Sequence, residues 1–225
     1  EAHAWRVEVT DAPLLITVKQ LGLDLVVEDQ RAGAAFSADT GDHGWGAEVL
    51  LLEDAGLHRI EIRPKKRFVG KARYSIGVEA LPASSDGHRA ALALTSHAGQ
   101  EGFQRTPEAR HRAVALYREA LAAWRSLGER RWEAEALYAI AALERDLREL
   151  PAAAEDFLQA LALWRELAEP ELEASTLNQL GMTRSYTGEI GAAREALENA
   201  LSLWQRLGER FEEVETRSNL CYLDQ

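Results

Sequence analysis

The chain has one cysteine, one methionine and four lysines in 225 residues. A single thiol, Cys221, excludes any intramolecular disulfide and leaves the redox compartment open. No run approaches the roughly 18 apolar residues of a membrane-spanning helix. A net charge of −11 argues against nucleic acid, whose phosphates need concentrated Lys and Arg. Glycine-rich phosphate loops, His-Glu-x-x-His, Gly-x-Ser-x-Gly and paired-cysteine spacings are all missing, so an enzymatic, cofactor-binding or metal reading has no motif to rest on. What is there is 46% hydrophobic and 28% charged, enough apolar material for packed cores. The chain opens on Glu1 with no basic-then-apolar leader, as a trimmed or matured form would.

Two halves follow different periods. Residues 1–82 alternate with period two: Ala4 to Val9, Leu14 to Val18, Leu23 to Val27, Val49 to Leu52, His58 to Ile62 and Tyr74 to Val78. Short β-branched runs broken by turn residues predict a sandwich or jelly roll of about six to eight strands. Residues 83–88 are small and polar, which is linker chemistry. Residues 89–225 are rich in Ala, Leu, Glu and Arg at helical period and contain no lysine. The expected class is therefore α+β and multidomain: an all-β sandwich followed by an all-α solenoid.

Within the helical half a 40-residue beat stands out. Trp124, Trp164 and Trp204 recur with Ala120-Leu121, Ala160-Leu161 and Ala200-Leu201 before them, and Leu127, Leu167 and Leu207 after. Glu129, Glu169 and Glu209 complete the register. Units of this size cannot bury their own apolar face and must stack, and the tryptophans are the expected core of that stack. From Leu177 the order is Leu180-Gly181, Gly188, Ala193, Leu197 and Ala200. The preceding unit runs Leu137, Ile140, Ala141, Ala153, Phe157 and Ala160, with Arg148 where a turn glycine belongs. The first unit's first helix carries His97, Gln100 and Glu101 in place of apolar and small residues.

This pattern resembles the tetratricopeptide repeat, in about three and a half copies, the last incomplete. Long repeats of this kind are similar to those of kinesin light chains and related adaptors, and the extra residues are expected to lengthen the second helix by more than a turn. Phe211 to Gln225 reads as a first helix lacking its second, so the natural protein is expected to continue past Gln225.

The β half, through Trp5-x-Val7-x-Val9, Leu15-x-Thr17-x-Lys19, Leu23 to Val27, Ala55 to Ile62 and Ala72 to Val78, resembles the bacterial pre-peptidase C-terminal (PPC) sandwich. The combination resembles the front of bacterial proteins ending in a caspase-like CHAT peptidase. The resemblance implies a regulatory arm whose catalytic domain lies elsewhere, and a periplasmic or secreted location with the cytoplasm left open.

Three features carry chemistry. Cys221 falls where the helix needs a small residue, and reads as a buried hydrophobe rather than a nucleophile. Asp39-Thr40-Gly41-Asp42-His43-Gly44 offers carboxylates and an imidazole, but in a turn composition without a defined metal spacing. Arg63 to Arg73 carries six positive charges, expected in a hairpin between the last two strands, either docking an anionic surface or guarding a sheet edge.

In tetratricopeptide arrays the first helices line the concave face. Carried across, the groove positions are Glu135, Tyr138, Arg145 and Asp146, then Ser175, Asn178, Met182, Ser185 and Tyr186, then Ser218 and Tyr222. Polar groups with a few aromatics suit an extended peptide; the alternative is a groove used by neighbouring parts of the same chain. The sequence thus predicts a non-enzymatic protein-interaction scaffold, the sensing or recruiting part of a larger bacterial protein. Its rival is an extracellular carbohydrate- or matrix-binding sandwich with the repeats as spacer, for which Trp5, Trp45 and Tyr74 are the large aromatics, Trp5 and Tyr74 alternating with apolar neighbours as core residues do. Partner identity and oligomeric state stay open.

Overall fold

A computed structural model describes residues 3–10, 14–21, 25–29, 45–52, 55–64, 73–80, 86–104 and 106–224. The Asp39–Gly44 cluster and most of the basic segment Arg63–Arg73 lie outside the described residues.

Among the described residues six strands carry the alternating runs: β1 His3–Val9, β2 Leu14–Leu21, β3 Leu25–Asp29, β4 Trp45–Leu52, β5 Gly56–Pro64 and β6 Arg73–Ala80. They form two small antiparallel sheets, ordered β1-β5-β3 and β4-β2-β6. Val9, Ile16, Val18, Leu52, Ile60 and Ile62 are buried in one apolar cluster fed by strands of both sheets. Among the described residues no strand pairs with its neighbour in sequence. The last two strands therefore do not make the expected hairpin: β5 pairs with β1 and β3, whereas β6 pairs with β2. Alternation reports which face of a strand is apolar and is silent on its partner. It is also silent on depth. Trp5 is 43% exposed, and its indole N–H donates to Tyr74 Oη at 3.4 Å.

Seven helices follow among the described residues: α1 Asp86–Phe103, α2 Pro107–Leu127, α3 Arg130–Asp146, α4 Leu150–Glu166, α5 Pro170–Tyr186, α6 Ile190–Leu207 and α7 Arg210–Leu223. Each packs on the next. In α2, Ala109, Ala113, Tyr117, Ala120, Leu121 and Trp124 form one buried stripe at helical spacing. Thr106 caps its start by accepting the Ala109 N–H at 3.2 Å, and Pro107 takes the first turn. Trp124, Trp164 and Trp204 are each 1% exposed and sit in one continuous core. Trp124 stacks on Trp132 at 5.3 Å.

The connections repeat at half the sequence beat. Positions 128, 148, 168, 188 and 208 all have positive φ, and the next residue is always glutamate. Its N–H closes back on the carbonyl of Trp124, Glu144, Trp164, Arg184 or Trp204, and its own carbonyl accepts the first bond of the following helix. This is the Schellman closure, for which glycine is the least strained residue. Arg148 (φ 66°) and Ala168 (φ 54°) hold the same conformation with a Cβ.

Three expectations are corrected. The residues beyond the usual repeat length do not all extend the second helix, because α3, α4 and α5 are 17 residues each and share them. The register of the first helix is shifted by one: Gly102 rather than Glu101 faces the seam, where an added Cβ would lie 3.4 Å from Leu143 Cδ2 and 3.8 Å from the Ala113 Cβ. That single-residue offset puts Glu101 beside the seam, where Arg112 pairs with it at 2.7 Å. Cys221 is exposed rather than buried, since no later described helix covers that side of α7. Phe211 and Val214 of α7 are exposed too, at 75% and 66%.

Candidate functional site

Among the first helices of successive units, α5 touches both α3 before it and α7 after it. Their shared face holds a hollow of about 520 Å³ lined by residues from all three, from the start of α2 and from the turn after α3. Five groove residues expected from the sequence meet there: Arg145, Asp146, Asn178, Met182 and Tyr186.

A polar lattice holds them. Asp146 accepts from Arg110 at 3.1 Å and from Arg145 at 3.5 Å, and Arg145 also donates to Gln179 Oε1. Asn219 of α7 donates to Asn178 Oδ1 at 3.0 Å, tying two repeats together across the floor. Arg148 places its guanidinium 5.2 Å from the centre of the Tyr186 ring, a cation–π contact at the rim. Tyr186 is 46% exposed, so its ring is available to a visitor.

The other six expected residues do not line the hollow. Tyr138 packs edge-on against Phe157, its hydroxyl 3.3 Å from Ser175 Oγ, and burial raises its phenol pKa above the ordinary value. Glu135 faces Arg131 at 4.0 Å. The Ser185 hydroxyl folds back to donate to the Met182 carbonyl at 2.7 Å. Ser218 and Tyr222 are exposed on α7, outside the lining.

Arg110, Arg148, Gln179, Glu215 and Asn219 also line the hollow and were not read from the sequence. Glu215 was legible, since it stands 40 residues after Ser175 and 80 after Glu135. Arg148 left only the trace of a non-glycine at a glycine position. Among the described residues no group of His, Cys, Asp and Glu could hold a metal ion, and no helix is long and apolar enough to cross a membrane.

Helix pairs of nearly equal length, joined by one recurring turn and stacked on a shared tryptophan core, define a helical repeat solenoid. The tetratricopeptide repeat family matches residues 134–171, which span most of α3 and all of α4, and residues 174–207, which run through α5 and α6. The C-terminal helical region therefore carries tetratricopeptide repeats.

No curated protein matches the chain. Among solved structures, BtubC (BKLC) from P. vanneervenii is similar at 22% identity and a TM-score of 0.55, over 63% of this chain and 58% of that one. The apo form of RapI is similar at 19% identity and a TM-score of 0.47, over 62% of this chain and 38% of that one. The chain thus spans less than two thirds of either protein, and the likeness to BtubC supports the fold alone.

Proposed function

We propose that this chain is a non-enzymatic interaction scaffold whose repeat groove holds an extended peptide of a protein partner. On this reading the β half is a small sandwich, and the whole is a sensing or recruiting part of a larger bacterial protein, in keeping with a CHAT-type regulatory arm. The observation that carries it is the hollow, where side chains from three successive units converge. Amides, guanidiniums, two carboxylates and one aromatic ring beside a single methionine suit a peptide backbone and polar side chains better than a compact apolar ligand.

Panning a random-peptide phage library against the full chain should enrich binders. Tyr186→Ala should weaken them about tenfold, the loss expected of a modest aromatic anchor, without moving the unfolding curve. Binders indifferent to that change would remove the groove from the reading. One observation limits the groove's reach: β4 lies against α5, so part of that helix is already used by the chain itself.

A second reading is favoured by the rim of the β half. Trp5 is exposed, Tyr74 stands beside it, and His3 Nδ1 lies 2.7 Å from Tyr74 Oη. An exposed aromatic with adjacent hydrogen-bonding groups is the chemistry of a sugar-stacking site. Glycan-array signal from the full chain, abolished by Trp5→Ala, is the expected result under that reading. A blank array eliminates it.

A further inference from the structure

We infer that the hollow selects an acidic side chain, an Asp or Glu within the bound peptide, and that Arg148 is the cation that receives it. This rests on the peptide-groove reading above. In a chain of net charge −11, three guanidiniums, those of Arg110, Arg145 and Arg148, converge on one hollow. Two of them are engaged: Arg110 and Arg145 share the Asp146 carboxylate, and Arg145 reaches Gln179 as well. Arg148 is different. Its contact among the described residues is the Tyr186 ring, and no carboxylate pairs with it.

The turn itself does not call for a cation. Positions 128, 188 and 208 are glycine and 168 is alanine in the same backbone conformation, so an uncharged residue closes the turn equally well. Nor is strain the argument, because Ala168 shows that the array accepts a Cβ there. What distinguishes position 148 is where its side chain ends, over an exposed aromatic at the mouth of the hollow. An arriving carboxylate would meet a charged donor fork backed by a ring face, an arrangement that gives a strong, orientation-specific hydrogen bond. The other lining carboxylate, Glu215, belongs to α7, one repeat beyond α5, which touches both α3 and α7. It would repel a second acid there and so fix the direction in which the peptide runs.

The test uses Arg148→Gly, which removes the guanidinium while installing the residue that this turn prefers. Stability should hold or rise, so lost binding cannot be blamed on unfolding. From the random-peptide phage library, binders to the full chain should share an Asp or Glu and weaken about tenfold or more with Arg148→Gly. Their affinity should also fall as salt is raised. A selected peptide made with an amidated C terminus should bind as well as the free acid, separating a side-chain carboxylate from a chain terminus. Binders without acidic residues that still depend on Tyr186 would overturn the acidic selectivity and leave the groove standing. Acidic binders indifferent to Arg148→Gly would overturn the assignment of that residue. Recovery of no Tyr186-dependent binder would sink the groove reading with it.

Discussion

A leucine in place of Gly181 should cost about 3 kcal/mol or more, enough to threaten a domain stabilised by roughly 5–15 kcal/mol. Gly181 sits in α5 where α6 crosses closest. A Cβ there would lie 2.7 Å from Leu197 Cγ, 3.0 Å from its Cδ2 and 3.1 Å from the Ala193 carbonyl oxygen. Two of those atoms cannot step aside: one is the branch point of a fully buried leucine and the other is backbone. The helices must separate, and separation uncovers Leu180, Leu197 and Trp204 together. Alanine is the milder probe. It gains about 1 kcal/mol of helix propensity over glycine, against an overpacking cost of about 1–3 kcal/mol, for a small net loss. Leu197→Ala alone should cost about 2–5 kcal/mol, but in a Gly181→Ala background less, because the new methyl occupies space that the leucine vacates. Urea unfolding followed by circular dichroism measures all four corners of that cycle. Additive losses, or a Gly181→Leu protein as stable as the parent, would show that the close approach does not constrain this pair.

The same seam explains what could be read beforehand. The 40-residue beat was legible because the two helices of a unit bury different side chains, so Trp, Ala-Leu and Glu return only after both have passed. The 20-residue beat was not. It resides in the backbone, where Gly128, Arg148, Ala168, Gly188 and Gly208 share one conformation under three residue identities. Glu149 and Glu189, the intermediate members of the glutamate series, were its visible trace.

Six strand segments were legible from alternation, yet their pairing was not, because every partner in β1-β5-β3 and β4-β2-β6 is distant in sequence. For the groove, register placed Arg145, Asn178, Met182 and Tyr186 on one face. It gave no means of knowing that Tyr138 would be spent on Phe157, or that a turn residue would reach in from position 148.

Removing the Arg118 guanidinium should be nearly as damaging as filling the Gly181 seam, and the damage should depend on pH. Arg118 of α2 donates to Glu144 of α3 at 2.8 Å and to Asp156 of α4 at 2.5 and 3.3 Å, joining three consecutive helices. Both carboxylates are 3% exposed. Burial pushes the Glu144 pKa above its ordinary value even though Arg118 pulls the other way, and the neighbouring Asp156 charge pushes with burial. Arg118→Met keeps the stem and deletes the cation, leaving two acids together in a poorly solvated seam. Breaking a fully buried pair costs about 3–5 kcal/mol. With the guanidinium side chain itself 43% exposed, about 2–4 kcal/mol is the appropriate discount.

The sign with pH follows from Glu144. A carboxyl whose folded pKa is raised favours the native state below its unfolded pKa, and loses that contribution as pH rises through the folded value. Arg118→Met removes the influence that holds this rise in check. The variant should therefore lie near the parent at acidic pH and fall progressively behind as pH climbs from the ordinary carboxylate range toward neutrality. Adding Glu144→Gln should recover much of the loss at neutral pH, since a neutral amide needs no counter-charge. Thermal melts of the parent, Arg118→Met and the double variant across that range measure the gap. A deficit that stays constant with pH and ignores Glu144→Gln would mean that Arg118 supports the three helices through its aliphatic packing rather than its charge.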